Sequence, residues 1–122
     1  MSKLILPPST IGIIGGGQLG RMMAIAAKQM GYKIAVLEPV ANGPLAQVAD
    51  IEINATYDDE LALLSLFKQS DVITYEFENV SSEMIKQLES KGYLPQGNRP
   101  IAITQHRFLE KIAINDCGFK TA

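Results

Sequence analysis

Two features of this sequence have residue types and spacing that could support chemistry, and the first is a glycine-rich loop. Gly15, Gly17 and Gly20 form a G-x-G-x-x-G pattern directly after the apolar run at residues 11–14. In such loops the glycines permit a tight turn, close approach of a ligand and close packing of the following helix. The N-terminus of that helix attracts anions. The pattern predicts a site for a phosphate-bearing ligand, and the alternative is a turn of an α/β domain that binds nothing.

The second feature is a pair of carboxylates, Glu76 and Glu78, around the end of a strand pattern at residues 72–77. Strand side chains alternate, so both acids share one face if the strand extends that far, and Tyr75 and Phe77 share the other. Ligands of open parallel sheets bind beyond the carboxyl ends of the strands. We therefore expect Glu76 beside the glycine loop, where it would accept a hydrogen bond from a ligand amine. The alternative is two solvated acids.

Other polar residues around the loop leave the ligand open. Glu38 follows the second strand pattern, where a dinucleotide-binding fold uses an acid to bind a ribose. Gln18 at the loop tip and Arg21 in the first helical turn argue against a standard dinucleotide site without excluding it. Arg21 is either a surface residue or a ligand contact. The single histidine, His106, has no metal-ligand spacing around it, and nucleophilic catalysis lacks a base.

The elements that must position these residues alternate between strand and helix. Strand patterns occupy residues 11–14, 33–37, 50–54 and 72–77, with a weak fifth strand at residues 93–94. They predict an α/β fold, a Rossmann-like open parallel sheet of four or five strands with helices on both faces. Helices are expected at residues 19–30, from 58 or 59 to 68, from 81 or 82 to 91, and from 100 to 115. Their inward-facing residues include Leu19, Met22, Met23, Ala26, Ala27 and Met30 on the first helix, and Phe108, Leu109 and Ile112 on the last.

Composition narrows the class of protein. The chain has 122 residues, 47% of them apolar and 20% charged, which is typical of a single globular domain. With 11 basic and 13 acidic residues the net charge is −2, so neither nucleic acid nor an anionic membrane is an expected partner. Cys117 is the only cysteine, which fits a reducing compartment. No apolar run suits a signal peptide or a membrane span, and we expect a cytoplasmic domain.

Five sequence blocks, taken in order, resemble one known family. The chain is similar to the N-terminal pre-ATP-grasp domain of the 5-(carboxyamino)imidazole ribonucleotide synthetases, which are purine-biosynthesis ligases of the ATP-grasp superfamily. The similarity extends from about residue 10 to residue 122, and the glycine block together with Thr-Tyr-Glu-Phe-Glu-Asn makes it specific. The blocks are residues 13–22, 36–39, 46–50, 57–59 and 71–80.

The resemblance implies an activity for a longer parent enzyme. The family consumes ATP, bicarbonate and aminoimidazole ribonucleotide and produces the carboxyamino ribonucleotide, ADP and phosphate. ATP and Mg would be cofactors of the parent, and a homodimer is implied as well. Residues 1–122 would form one N-terminal domain, a fragment without the central and C-terminal ATP-grasp regions. The fragment alone is then expected to be inactive, to bind no cofactor and to contain no catalytic or metal-binding residue.

The resemblance also assigns roles to individual residues. Glu76 would bind the amine of the ribonucleotide, and the glycine loop its phosphate or ribose side. Arg107 matches an arginine that reaches toward ATP, although His106 stands where the family usually has Asp. Glu38 likewise replaces a common Asp. The implied substrate-binding residues are Gly17, Gln18, Leu19, Gly20 and Glu76.

Three other hypotheses remain open at this point. One is the formate-dependent glycinamide ribonucleotide formyltransferase, a related ligase that typically has Glu where this chain has Gln18. The second is a Rossmann NAD-binding domain, which Glu38 and the loop permit. The third is a nucleotide-sensing module without chemistry.

Overall fold

The computed structural model describes residues 3–76 and 78–122 and contains a four-stranded parallel sheet in the order β3-β2-β1-β4. The predicted α/β fold is confirmed. The strands are β1 (Thr10–Ile14), β2 (Lys33–Leu37), β3 (Ile51–Ile53) and β4 (Val72–Tyr75). The helices are α1 (Gln18–Gln29), α2 (Glu60–Gln69), α3 (Ser82–Leu88), α4 (Arg99–Thr104) and α5 (Arg107–Asp116), with 3₁₀ turns at Ala46–Val48 and Glu89–Lys91.

The register of three adjacent strands, β2, β1 and β4, places their ends side by side. Ile14, the last residue of β1, lies opposite Leu37 of β2 and Tyr75 of β4. All three strands therefore end at the same level. The next residues along the two outer strands are Glu38 and Glu76, so this register brings both acids to the carboxyl edge of the sheet, next to the loop that follows β1.

Helices cover both faces of the sheet, as predicted. In β2, Ala35 and Leu37 join one hydrophobic cluster and Ile34 and Val36 join the other, because successive strand side chains point to opposite faces. Helices α2 and α3 pack on the first face and α1 packs on the second. The buried helix residues in the two clusters are Leu63, Leu66, Phe67, Ile85, Leu88 and, from α4, Ile101 on the first face, and Ala24 on the second.

Helix ends follow the local sequence. The side chain of Asp59 accepts a hydrogen bond from the Ala62 amide at 3.0 Å and caps α2. The hydroxyl of Ser81 accepts one from the Met84 amide at 3.2 Å and caps α3. Gly31 follows α1 with φ of 95°, a conformation that glycine adopts at little cost. These caps and this termination agree with the prediction.

The predicted inward face of α1 is wrong in most positions. The helix packs on the sheet through Gly20 and Ala24, with Met23 and Ala27 half-buried. A Cβ atom on Gly20 would lie 3.2 Å from the Gly15 carbonyl oxygen, so the helix lies too close to the sheet for large side chains at its contact. The large residues therefore face outward, and Met22 is 60% exposed. The predicted inward residues that are exposed are Leu19, Met22, Ala26 and Met30.

The predicted last helix is two helices. His106 has an extended backbone, and its Nδ1 accepts a hydrogen bond from the Leu109 amide at 3.4 Å, so it ends α4 and caps α5. Helix α5 packs against α4, and none of its residues is buried. The predicted inward face of Phe108, Leu109 and Ile112 is wrong, since all three are exposed and Phe108 is 66% exposed.

The predicted fifth strand is absent from the described residues, and a side chain takes part of its place. The Tyr93 carbonyl accepts a hydrogen bond from the Ile73 amide at 2.8 Å. Further along β4, the Gln96 side chain, through Oε1, accepts from the Tyr75 amide at 3.1 Å. An amide side chain thus satisfies this edge where a paired strand would. Strand β4 ends at Tyr75, and Phe77, predicted to belong to it, lies outside the described residues.

Candidate functional site

Two successive amides of the glycine loop are bound by carboxylates from the two neighbouring strands. Gly15 makes the turn with φ of 106°, in the region that favours glycine. The Gly16 amide donates to Glu38 Oε2 at 2.8 Å, and the Gly17 amide donates to Glu76 Oε1 at 2.9 Å. The predicted proximity of Glu76 and the loop is therefore confirmed by a direct hydrogen bond.

The two oxygens of Glu76 have different surroundings. Oε1 accepts from Gly17, whereas Oε2 is buried and has no hydrogen-bond partner among the described residues. A Cβ atom on Gly20 would lie 2.9 Å from Oε2, so glycine at this position also makes room for the carboxylate. A buried polar oxygen without a donor costs free energy. A ligand N–H group that reached this oxygen would remove that cost.

Glu38 lies on the other side of the loop and is already engaged within the protein. Its Oε2 also accepts from the Tyr57 hydroxyl at 2.6 Å, and its Oε1 accepts from the Val40 amide at 3.2 Å. The pKa of the Tyr57 phenol is raised by burial, by the hydrogen bond to Glu38 and by the negative charges of Glu38 and Glu76. The acid that a dinucleotide site would use for a ribose thus binds the protein's own amides and hydroxyl. The sequence did not reveal this use of Tyr57.

Of the remaining loop residues, Arg21 is hydrogen-bonded to a neighbouring loop, and Gln18 and Leu19 are exposed. Arg21 Nη1 donates to Gln47 Oε1 at 2.8 Å and to the Pro44 carbonyl at 3.2 Å, so it joins α1 to the loop after β2. Gln18 and Leu19 are exposed at the loop tip. They open α1, where backbone N–H groups have no intrahelical acceptor. The helix N-terminus therefore offers hydrogen-bond donors beside Glu76.

A cleft of about 410 Å³ connects Glu76 to the last two helices. Glu76, Glu78 and Glu110 line it, and Glu78 is exposed. Arg107 opens α5 and its Nη1 donates to Glu110 Oε2 at 2.7 Å, while its side chain is 80% exposed. Arg107 thus contacts the cleft through its ion pair with Glu110, which lines it.

The segment after β4 is attached to the junction between α4 and α5. Gln105 Nε2 donates to the Val80 carbonyl at 2.6 Å and to the Glu78 carbonyl. One side chain therefore joins the loop that follows Glu76 to the residue pair His106 and Arg107. A glutamine in a helical pattern carries no sequence signal for such a link, so this contact was not predicted.

Metal binding finds no support in the part of the chain that the structure describes. Across residues 3–76 and 78–122, no three His, Cys, Asp or Glu side chains are grouped so that they could hold a metal ion. These residues therefore do not fit the Mg ion that the family resemblance implies for the parent enzyme. In the same residues, no helix is long and apolar enough to cross a membrane.

The parallel sheet, the glycine loop and the acids at its carboxyl edge define a Rossmann-like α/β domain. A family model described as "Ribonucleotide synthetase preATP-grasp domain" matches residues 9–105, and the chain belongs to this family. The resemblance stated from the sequence is confirmed.

Individual relatives agree with the family. The N5-carboxyaminoimidazole ribonucleotide synthase of Bacillus subtilis strain 168 is 54% identical over 123 residues, which cover 100% of this chain and 32% of that protein. A crystal structure of an ADP complex of N5-carboxyaminoimidazole ribonucleotide synthetase is 60% identical, with a TM-score of 0.96 over 100% of this chain and 32% of the other. The chain therefore spans about a third of the length of these relatives.

A solved structure with lower sequence identity contains both ADP and a ribonucleotide. It is the N5-carboxyaminoimidazole synthase of Aspergillus clavatus in complex with ADP and 5-aminoimidazole ribonucleotide. It is 27% identical to this chain, with a TM-score of 0.82 over 91% of this chain and 30% of the other.

Proposed function

We propose that this chain is the N-terminal domain of an ATP-dependent ligase of purine biosynthesis. The ligase joins bicarbonate to the amine of aminoimidazole ribonucleotide and converts ATP to ADP and phosphate. The printed names of the relatives support this proposal, as does the ribonucleotide in the Aspergillus clavatus complex. Residues 1–122 then supply the wall of the cleft that faces the ribonucleotide. The complete ligase is a cytoplasmic homodimer on this proposal, and the domain alone is inactive.

The observation that carries the proposal is the state of Glu76. One oxygen is fixed by the Gly17 amide, and the other is buried without a donor in the described structure. A carboxylate held in this way is a ready acceptor for an amine, and a hydrogen bond to a charged acceptor is among the stronger ones. We assign the exocyclic amine of the ribonucleotide to Glu76.

The phosphate and ribose side is assigned to the tip of the loop. The amides of Gly16 and Gly17 already bind carboxylates, so the first backbone donors that remain for an anion are those of Gln18 and Leu19 at the start of α1. Gly17 has no side chain to cover the loop, whereas Gly20 is buried and makes room for the Glu76 carboxylate. The ribonucleotide therefore lies across the helix N-terminus with its amine toward β4.

ATP is assigned to the side of the cleft where Arg107 lies. The pair with Glu110 is largely exposed on the arginine side, and such surface pairs contribute only about 0–1 kcal/mol. Replacement of the Arg107–Glu110 ion pair by a contact between Arg107 and a phosphate group therefore costs little free energy. Any Mg ion would be held by residues outside the described part of this chain.

The test is the substrate dependence of the complete ligase. ADP release should require both aminoimidazole ribonucleotide and bicarbonate, and residues 1–122 alone should release no ADP above a buffer control. Glycinamide ribonucleotide with formate serves as the matched substrate pair for the related formyltransferase. Turnover with that pair, or tight binding of NAD with no response to aminoimidazole ribonucleotide, would contradict the proposal.

A further inference from the structure

Glu38 is one of the two carboxylates that bind the glycine loop, and the function proposed above gives a role only to the other, Glu76. We propose that Glu38, together with Tyr57, is a positioning residue that fixes the backbone at Gly16 and, through the adjoining Gly17 amide, the orientation of Glu76. The proposal rests on the ribonucleotide-binding function of the site. It assigns no contact between Glu38 and the substrate.

Glu38 joins three segments of the carboxyl edge. Its Oε2 accepts from the Gly16 amide at 2.8 Å and from the Tyr57 hydroxyl at 2.6 Å, and its Oε1 accepts from the Val40 amide at 3.2 Å. These donors come from the loops after β1, β3 and β2. A side chain that links three loops at short distances is held in one orientation, which a solvated acid is not.

The packing around Gly16 supports the same role. The G-x-G-x-x-G pattern requires glycine at positions 15, 17 and 20 but not at 16. A Cβ atom on Gly16 would lie 2.7 Å from Glu38 Cβ and 2.8 Å from its Cγ. The stem of Glu38 therefore occupies the space that any other residue at position 16 would need. The extra glycine of this loop is explained by the close approach of Glu38.

The effect reaches Glu76 through two successive peptide groups that meet at Gly16. The Gly16 N–H that binds Glu38 belongs to the planar peptide joining Gly15 and Gly16, and the Gly17 N–H that binds Glu76 Oε1 belongs to the next peptide, whose carbonyl accepts from the Leu45 amide at 3.0 Å. Glycine permits many relative orientations of two such peptides, and the bond to Glu38 fixes the first of them. Without it, the loop is held on one side of Gly16 alone, and the Gly17 N–H holds Glu76 less precisely in the orientation that suits the amine. Binding then loses preorganisation rather than a contact.

The experiment compares E38Q with a matched control in the complete ligase. Glu52 is a similar acid on the neighbouring strand, whose Oε1 accepts from the Asn42 amide at 2.8 Å and the Asn54 side chain at 2.9 Å. Within residues 3–76 and 78–122 its side chain forms no hydrogen bond with the glycine loop. Each variant is purified, its thermal unfolding is recorded, and steady-state kinetics are measured with each substrate varied in turn.

We expect E38Q to raise the KM for aminoimidazole ribonucleotide about tenfold, because loss of the charge weakens the hold on the Gly16 amide and the loop is less preorganised for the substrate. The KM for ATP and the kcat at saturating ribonucleotide should stay within about twofold, and E52Q should leave all three constants unchanged. A residue that only stabilises the fold would lower the unfolding temperature without this selective effect on KM. A rise in the KM for the ribonucleotide without a rise in the KM for ATP therefore distinguishes a positioning role from a purely stabilising one.

Parallel measurements on E76Q separate this inference from the proposed function. An unchanged ribonucleotide KM in E38Q, with a weakened one in E76Q, would overturn the inference and leave the function intact. An unchanged E76Q would overturn the function and the inference together. Equal changes for ATP and ribonucleotide in E38Q, or the same changes in E52Q, would also overturn the inference.

A smaller change keeps the test available if E38Q does not fold. Y57F removes only the hydroxyl that shares Oε2 with the Gly16 amide. We expect it to raise the ribonucleotide KM about threefold, since Glu38 keeps its charge and its bond to the loop. An unchanged KM in Y57F would then count against the proposal.

Discussion

Replacement of Glu76 by glutamine is the most direct perturbation of the site. The substitution keeps the size of the side chain, and the amide oxygen can still accept from Gly17 N–H, which lies 2.9 Å from Oε1. The buried Oε2 is replaced by an NH₂ group. That group donates where the ribonucleotide amine also donates. The change therefore removes the acceptor and its charge while it preserves the shape of the loop.

The expected magnitude follows from the loss of one charge-assisted hydrogen bond. Such a bond contributes about 1.5–3 kcal/mol, which corresponds to a decrease in kcat/KM for aminoimidazole ribonucleotide of roughly tenfold to a hundredfold. The KM for ATP should change by less than about twofold. The free energy of unfolding should not fall, because E76Q removes a buried, unpaired carboxylate oxygen and with it a desolvation cost. Loss of function with equal or higher stability is typical of a residue kept for binding.

The assay is steady-state ADP release by the complete ligase, with ribonucleotide and ATP varied in turn, together with thermal unfolding of each variant. E78Q is the matched control, because Glu78 lines the same cleft but is exposed. We expect E78Q to change kcat/KM by less than about threefold. Unchanged kinetics in E76Q, or a decrease confined to ATP, would refute the placement of the amine beside β4.

Three further predictions concern other parts of the molecule. R107M should raise the KM for ATP roughly threefold to tenfold and leave that for the ribonucleotide unchanged, and equal effects on both would contradict the ATP assignment. The pKa of Asp50 is lowered chiefly by its hydrogen bond from Lys28, so Asp50 stabilises the fold above its unfolded-state pKa, and this contribution disappears as pH falls through the lower folded-state pKa. D50N should therefore lower the free energy of unfolding at pH 7 by less than about 1 kcal/mol, because the ion pair is part-exposed, and this difference should disappear as the pH falls through the folded-state pKa of Asp50. Q105L, which removes two bonds to backbone carbonyls, should cost about 1–3 kcal/mol in urea unfolding, whereas Q69L, which removes bonds within α2, should cost less.

The meeting of Glu76 and the glycine loop could be predicted because it depends on backbone rules alone. The alternation of strands and helices implies parallel strands, and parallel strands end at a common edge. Residues about sixty positions apart are thereby brought together without any knowledge of their side-chain contacts. Residue preferences at helix ends likewise predicted a cap at Asp58 or Asp59, a cap at Ser81 or Ser82, and the end of α1 at Gly31.

The errors arose where packing distance or a competing hydrogen bond decided the outcome. Periodicity assigned the large residues of α1 to the core, but close approach of the helix selected Gly20 and Ala24 for the contact. Periodicity also continued through His106, although its side chain accepts a hydrogen bond from the next turn and starts a new helix. Neither effect depends on hydrophobicity, so a hydrophobic pattern cannot detect it.

The hydrogen bonds of Glu38 could not be predicted for a related reason. Its residue type and position permitted a ribose contact, and nothing in the sequence indicates that an amide of the protein reaches the carboxylate. That contact depends on the absence of a side chain at Gly16, where a Cβ atom would lie 2.7 Å from Glu38 Cβ. Only coordinates supply such a distance.

Strands β1, β2 and β4 end at the same level of the sheet, and this alignment limits where the domain can vary in length. Ile14 stands opposite both Leu37 and Tyr75, so Glu38 and Glu76 reach the loop only because each is the next residue along its strand. Deletion of one residue within β2 or β4 would turn the acid to the opposite face of the sheet, because side chains alternate. Length changes should therefore be harmful within these two strands even where substitutions are harmless. The connections on the far edge of the sheet, at its amino ends, are free of this constraint and are the places where insertions can accumulate.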